Sequence, residues 1–502
     1  MRIMGISGMF HDAAITVIQD GEIVFAGHAE RYSKIKNDAF INHMLVQDAL
    51  AYGKPDLIAL HEKSWLKKAR HLFSGDWNGF REPSMKKWLA KFYPELAGIP
   101  VESYYHHETH AASGAVASVH DSAAVMVLDA IGEFTTSSIW MWQNNRLKKL
   151  HSMRYPDSLG LFYTAITAYV GLKPNEDEYI LMGMAAYGEE KYAKPVEQYI
   201  DRHWFAIEDP LSDPDIALTM CMDLHKGIHP EYFAGVREFD LALAAQNVIE
   251  RRIQAYAQHA QKLTGSDTLI YQGGVALNCV ANSKLAEIFK TVSIMPNPGD
   301  AGSSLGTAAQ AYLKHTGQRP VWRTPYLGTE IPGAYPVNRA LESLRRNEIF
   351  GIANGRAEFG PRALGNRSLM ADPRGAHIKD RMNEIKRRQE FRPFAPVILE
   401  EFAHEYFDLP VESSPYMQFV ARCKRPNEFP AIVHADGTSR VQTVNAQQHP
   451  GLYELLTKFH EQTGCPMLLN TSLNIKGHPI VNDELDAAKF QEHYGIPVHT
   501  KE

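Results

Sequence analysis

Cysteine is scarce in this chain. Its 502 residues include four, Cys221, Cys279, Cys423 and Cys465, and no two are spaced as CxxC. That excludes a zinc ribbon, a CxxC redox centre and a disulfide-stapled fold, and it fits a reducing cytoplasm. No apolar run approaches the ~20 residues that span a bilayer. The opening MRIMGISGMFHDAA is broken by His11 and Asp12, so it does not read as a signal peptide. Positive charge is not in excess either: the net charge is −6. The molecule as a whole has no general attraction for nucleic acid or an anionic membrane. Hydrophobic residues at 44% and charged residues at 22% are ordinary for a globular protein. The length exceeds what one core usually serves, so at least two domains are expected.

The order of elements reads as α/β. The chain opens on a hairpin, RIMGIS and AAITVIQ followed by an Asp20-Gly21 turn and EIVFAGHA. A second hairpin is expected in AAVMVLDAIGEFTTSSIWMW. Helical periodicity dominates from about Leu159 to Ala257 and is clearest over Leu241 to Gln261. Two strand–loop–helix units follow, TLIYQGGVALNCVANSKLAEIF and TVSIMPNPGDAGSSLGTAAQAYLKH. Glycines at such turns let backbone N–H groups at a helix start approach a nucleotide. Thr316 to Pro336 holds four prolines and little periodicity. The expected division is therefore a first domain over 1–325, a linker over 326–340 and a second domain over 341–502.

Two groups of residues carry chemistry. YYHHETHAASGAVAS packs three histidines, His106, His107 and His110, into five residues. On a helix starting at His106, the pair His106 and His110 shares one face, the geometry of two ligands to one metal; His107 and His110, three apart, could do the same. Asp129 ends the strand AAVMVLD, and Asp300 sits at a strand-to-helix turn. Histidines with carboxylates and no thiolate suit iron(II), manganese or zinc. The second group lies in the C-terminal third. Arg356 to Arg392 carries ten Arg/Lys against five Asp/Glu. Arg362, Arg367, Lys386, Arg388, Arg392 and Arg440 are set among apolar residues, as a grip on a phosphorylated small molecule requires. Only Phe391 and Phe394 stand near them, too few for the stacking platform of a nucleic-acid patch.

Taken together, GISGMFHDAA, AERYSK, HHETHAASGA, VLDAIGE, YILMGMAAYG, GGVALN, PNPGDAGSSLG, FGPRALGNRS, IKRRQEFRPFAPV and NTSLN resemble the O-carbamoyltransferase family of nodulation and antibiotic-tailoring enzymes. The resemblance runs over nearly the whole chain. It implies an N-terminal domain of two actin-like lobes, similar to threonylcarbamoyl transferases, followed by a YrdC-like α/β domain. It also implies iron held by His106, His110, Asp129 and Asp300, and a nucleotide against Gly273, Gly274, Asn278 and Gly302. Carbamoyl phosphate and ATP, with magnesium as counter-ion, are placed on Arg362, Lys386, Arg388, Arg440, Ser472 and Asn474.

The implied reaction is activation of carbamoyl phosphate by ATP to carbamoyladenylate, then transfer to a hydroxyl of a small acceptor such as a sugar, an antibiotic or a nucleoside-like molecule. His11 is the candidate base and Asp12 its orienter. A nucleoside in tRNA or DNA is the alternative acceptor, and a homodimer is compatible with the reading. The chain departs from the family where EYKVMGLAPYG becomes EYILMGMAAYG, placing Ile180 for lysine and Ala186 for proline. It departs again where KHD becomes Lys36-Asn37-Asp38, and the tail after Asp486 matches poorly. A hydrogenase-maturation carbamoyltransferase would carry CxxC zinc fingers and an acylphosphatase domain, which this sequence does not contain.

Overall fold

The first residues form a three-stranded meander, β1 (Arg2–Ser7), β2 (Ala14–Gln19) and β3 (Glu22–His28). Asp20 and Gly21 both adopt positive φ, 51° and 91°, the twist that closes a two-residue hairpin and that Asp-Gly accepts readily. These features come from a computed structural model that describes residues 1–73, 75–155, 157–204, 228–389, 391–392 and 394–502. Cys221 and part of the expected helical region lie outside the described residues.

The chain divides into two compact units. The first comprises Met1–Ala29 and Asn37–Arg323; the second comprises Glu30–Lys36 and Thr324–Glu502. In the first unit, β1 pairs antiparallel with β2 on one side and parallel with β4 (Leu57–His61) on the other. With β5 (Val101–Tyr104) the sheet order is β3-β2-β1-β4-β5. A second sheet contains β6 (Ser122–Gly132), β7 (Thr135–Gln143), β8 (Arg146–Arg154), β9 (Thr268–Gln272) and β10 (Thr291–Ser293). Its order, β8-β7-β6-β9-β10, repeats the first: a three-strand antiparallel meander, then two parallel strands beside its first member.

Two helices of small residues are packed into this unit. His106–Ala117 is buried along nearly its whole length, with Ala111 and Ala115 in a core with Val125, Val127, Trp142 and Ile270. Ser303–Thr316 lies directly on β1 and on that helix. A Cβ added to Gly5 would stand 2.1 Å from the Ser304 carbonyl oxygen, and one added to Gly306 would stand 1.8 Å from that of Thr109. Such close approach needs glycine. The clearest sequence helix, Leu241 to Gln261, falls within Glu238–Thr264.

The second unit centres on a six-stranded mixed sheet ordered β19-β15-β20-β14-β12-β21. Its members are β12 (Phe350–Ala353), β14 (Arg367–Ala371), β15 (Ala395–Leu399), β19 (Gln442–Val444), β20 (Met467–Ser472) and β21 (Val498–His499). A three-stranded sheet, β16 (Phe407–Asp408), β17 (Val420–Cys423) and β18 (Thr438–Arg440), is also present. The stretch read as a linker over 326–340 is structured: β11 (Tyr326–Ile331) pairs antiparallel with β13 (Gly355–Glu358), and a helix starts at Val337. Pro325 and Pro332 bound the strand without interrupting it, as edge strands tolerate, and Pro336 stands immediately before the helix. Among the described residues no helix is long and apolar enough to cross a membrane.

Candidate functional site

The parallel pairing of β4 and β5 sets His61 opposite Tyr104, two residues before the helix that carries His106 and His110. That helix brings the two imidazoles together, with Nε2 atoms 3.1 Å apart. Asp129 near the end of β6 approaches His106 Nε2 at 2.9 Å, and Asp300 approaches His110 Nε2 at 3.1 Å. Donor atoms of His61, His106, His110 and Asp300 all lie within 4.8 Å of one another. Asp129 Oδ2 joins them, 3.4 Å from His110 Nε2. The four residues predicted as ligands are thus assembled, and His61 is added to them.

Each imidazole is oriented by its other nitrogen. His106 Nδ1 faces Glu62 Oε1 at 3.1 Å, His110 Nδ1 faces the Pro298 carbonyl at 3.1 Å, and His61 Nδ1 faces Thr109 Oγ1 at 2.7 Å. Ligating histidines are commonly fixed in this way. His61 Nε2 is buried with no hydrogen-bond partner. A buried orphan nitrogen beside three clustered donors fits a shared cation. Burial opposes charge on His106, yet Asp300, Asp129 and Glu62 raise its pKa well above the usual value. Burial, with His106 beside it, pushes His61 down to about 3. His107 turns elsewhere, its Nδ1 2.9 Å from Ser138 Oγ.

His11 and Asp12 lie in the turn after β1. Asp12 Oδ2 accepts from His11 Nδ1 at 2.9 Å, which aims Nε2 at Asp300 Oδ2, 3.5 Å away. Burial disfavours the charged ring, but Asp300 and then Asp12 outweigh it and raise His11 to about 9. Two carboxylates absent from the sequence expectations support the cluster. Glu62 also takes Lys67 Nζ at 3.0 Å. Glu133 accepts the backbone N–H of Lys63 at 2.7 Å and that of His106, and burial pushes it up to about 7.

The glycine turns serve packing as well as any ligand. A Cβ on Gly273 would stand 2.0 Å from the Leu128 oxygen, and one on Gly302 would stand 1.8 Å from that of Asn297. Gly274 N–H donates to Asp129 Oδ1 at 3.2 Å, tying this loop to the cluster. The Asn278 side chain accepts from Ala281 N–H at the start of the next helix and pairs with Gln246. Its amide is therefore committed inside the protein. The departures from the family pattern also have local reasons. Ile180 is buried, where a lysine ammonium would need a partner. Asn37 sits at φ 55°, a left-handed conformation that asparagine tolerates.

In the second unit, Lys386 is buried and its Nζ donates to the Ser472 carbonyl (2.6 Å), Ser472 Oγ (3.1 Å) and Asn474 Oδ1 (2.6 Å). Burial, reinforced by Arg388 and Arg392, holds its pKa well below the usual lysine value. Arg388 stacks on Phe394, 3.9 Å from the ring centroid, and donates to Asn383 Oδ1 at 2.9 Å. Arg440 ends β18, with its Nε buried and without a hydrogen-bond partner. Arg362 is half-buried at the turn before β14. Arg367 is not part of an anion grip. It is fully buried, and its guanidinium donates to the carbonyls of Asn482, Asn354, Gly355, Asn366 and Thr329.

Residues 86–309 match the family described as carbamoyltransferase N-terminus, and residues 341–499 match carbamoyltransferase C-terminus. The second match includes most of the tail after Asp486. An uncharacterized protein of Synechocystis sp. is 33% identical over 97% of this chain and 93% of its own length. Nodulation protein NolNO of Sinorhizobium fredii is 32% identical over 95% of this chain and 76% of its own. The 3'-hydroxymethylcephem-O-carbamoyltransferase of Amycolatopsis lactamdurans is 29% identical over 97% and 95%. With both halves matched in order and full-length relatives above 30% identity, the chain belongs to the carbamoyltransferase family.

Proposed function

We propose that the protein moves the carbamoyl group of carbamoyl phosphate, through carbamoyladenylate, to a hydroxyl of a small-molecule acceptor. The observation that carries this reading is the pairing of a buried His/Asp cluster in the first unit with a buried, polar-caged lysine in the second. His106, His110, Asp129 and Asp300 lie in the segment matched to carbamoyltransferase N-terminus, and Lys386 lies in that matched to carbamoyltransferase C-terminus. The repeated strand order of the two sheets supports two actin-like lobes, and the second unit takes the part of a YrdC-like activating domain.

Activation would occur against Lys386, Ser472 and Asn474, with Arg362, Arg388 and Arg440 neutralising phosphate oxygens as charge moves between groups. Atom balance requires one water to cleave the carbamoyl–phosphate anhydride. The carbamate oxygen then attacks the α-phosphorus of ATP, and phosphate and pyrophosphate leave. In the first unit the glycine turns at Gly273, Gly274 and Gly302 would let the chain approach the adenylate closely, their own N–H groups being committed to the Pro298 carbonyl, Asp129 Oδ1 and the Gly299 carbonyl. His61, His106, His110, Asp129 and Asp300 would hold the cation, an iron(II), manganese or zinc ion by the chemistry of nitrogen and oxygen donors. Such an ion supplies Lewis acidity toward the carbamoyl oxygen and the departing phosphate. The acceptor oxygen forms its bond to the carbamoyl carbon as AMP leaves, and the hydroxyl proton passes to His11 Nε2, oriented by Asp12. The neutral ring is the form required. Asp300 is the carboxylate that most favours the charged ring, and a cation bound to it would offset that effect and favour the neutral one.

The test is incubation with carbamoyl phosphate, ATP and iron(II), following pyrophosphate release and the mass of hydroxyl-bearing acceptors. Absence of carbamoyl-phosphate-dependent pyrophosphate would overturn the reading.

A further inference from the structure

Residues 63–92 carry eight Lys/Arg against two Asp/Glu in a chain whose net charge is −6. The same stretch holds three of the seven tryptophans. Aromatic and apolar side chains here face solvent: Trp65 is 66% exposed, Phe73 67%, Trp77 58% and Leu72 49%. They belong to the helices Ser64–Phe73 and Trp77–Arg81. His71 Nδ1 of the first helix lies 2.9 Å from Asp76 Oδ2, and Asp76 Oδ1 caps the second by accepting from Gly79 N–H. Lys68 Nζ stands 5.8 Å from the Phe80 ring centroid. Lys68, Arg81, Lys86 and Lys87 form no ion pair among the described residues. A folded surface that keeps large aromatic groups in water beside unpaired cations departs from ordinary solvated polarity.

This surface runs into the candidate centre. Lys67 Nζ lies 5.6 Å from the centroid of Phe10, which is 55% exposed and whose ring is 4.8 Å from that of His11. The same ammonium is paired to Glu62, which orients His106.

We propose that the helices Ser64–Phe73 and Trp77–Arg81, with Phe10 at their inner edge, form the acceptor-docking surface, and that the acceptor is an anionic carbohydrate. The inference rests on the carbamoyl-transfer reading and specifies its substrate class. A sugar supplies the hydroxyl, and its C–H face covers an indole or phenyl ring while its hydroxyls stay wet. A phosphate, sulfate or carboxylate on it complements the unpaired cations. A polycationic acceptor is disfavoured by the same charges. Nucleic acid would also be attracted, but a surface leading straight to His11 and bounded by two short helices suits a small ligand.

The test is calorimetric titration of the full-length protein without ATP or carbamoyl phosphate, so its outcome is independent of whether pyrophosphate is made. The probes are UDP-glucose (anionic), maltose (neutral) and kanamycin (cationic). UDP-glucose should bind at least tenfold more tightly than either of the others and weaken as KCl is raised. The Trp77→Ala, Phe80→Ala double variant should lose about tenfold in UDP-glucose affinity. Lys68→Glu with Arg81→Glu, at one half-buried and one exposed position, should lose as much for UDP-glucose and nothing for maltose. Equal binding of the three probes, or unchanged UDP-glucose affinity in both double variants, would overturn the proposal. So would tighter binding of tRNA or phosphatidylglycerol vesicles that is lost in the same variants.

Discussion

Gly132→Ala should disturb the histidine cluster without removing any donor. A Cβ at position 132 would stand 2.2 Å from both Cγ and Cδ2 of His106 and 2.7 Å from its Cβ. Ordinary carbon contacts are about 3.5 Å, so the ring must retreat by roughly 1.2 Å or more. Rotation alone does not relieve the clash, because the Cβ of His106 is also too close. The ring is held at both nitrogens, by Glu62 at 3.1 Å and Asp129 at 2.9 Å, and such a shift takes those bonds beyond hydrogen-bonding distance. Overpacking of this kind costs about 1–3 kcal/mol of stability. Loss of an orienting partner lowers metal affinity roughly 10- to 100-fold. The assay is metal content by mass spectrometry after dialysis against a buffered chelator, with the rise in Tm on adding iron(II) or zinc as a second readout. Gly274→Ala supplies a graded comparison, since its Cβ would meet only Asp129 Oδ1, at 3.1 Å, and it should retain most of the metal. Gly132→Ala that keeps parental occupancy and the parental Tm rise would refute the placement of His106 among the ligands.

Removal of the orphan nitrogen in His61→Ala should lower metal affinity at least tenfold, read by competition with a chelating dye; an unchanged dye titration would remove His61 from the ligand set. Lys386→Met removes the donor that fixes Ser472 Oγ and Asn474 Oδ1 and should reduce kcat/KM for carbamoyl phosphate by about one order of magnitude; unchanged kinetics would move the activating site elsewhere. Arg367→Met strands several buried carbonyls at about 1–3 kcal/mol each, so urea unfolding of the second unit should lose more than ~3 kcal/mol; an unchanged midpoint would contradict the cage. His449 is buried and its pKa is lowered from 6.5 to about 4. Its neutral form therefore favours folding fully above about pH 6.5, and that contribution, at most about 3 kcal/mol, is lost as pH falls toward 4. In urea melts between pH 7.5 and 4.5, His449→Gln should show a shallower acid dependence than the parent. Parallel curves would show that His449 is not the group responsible.

Much of the cluster was legible because its members sit where local structure announces itself. His106 and His110 share a helix face, Asp129 closes an apolar strand, and Asp300 opens a helix. His61 carries no such sign. It ends LIALH as a lone histidine, and only the parallel register of β4 against β5 brings it beside the motif. The available clue was a polar residue ending an apolar strand whose sheet neighbour leads into HxxxH. Arg367 fails for the opposite reason. An arginine among apolar residues reads alike whether its fork grips phosphate or backbone carbonyls, and only the fold tells the two apart. The linker expectation failed because prolines mark the ends of an edge strand as readily as they mark a flexible joint. The duplicated sheet order lies beyond local patterning, since β6 and β9 pair across more than a hundred intervening residues.

The seven-residue excursion Glu30–Lys36 has a consequence for how the chain is made. Within the second unit, Arg31 donates to the Gly360 carbonyl at 3.0 Å, Tyr32 OH meets Thr329 Oγ1 at 2.9 Å across 297 residues of sequence, and Lys34 meets Asp486 across 452. A ribosome delivers the excursion well before its partners, so the second unit cannot complete its packing until residue 486 has been made. During that interval Arg31, 3% exposed in the finished protein, remains in water. A C-terminal fragment cut at residue 324 would emerge without these contacts, and the same seven residues supplied as a separate peptide would have to find it by diffusion rather than by tether.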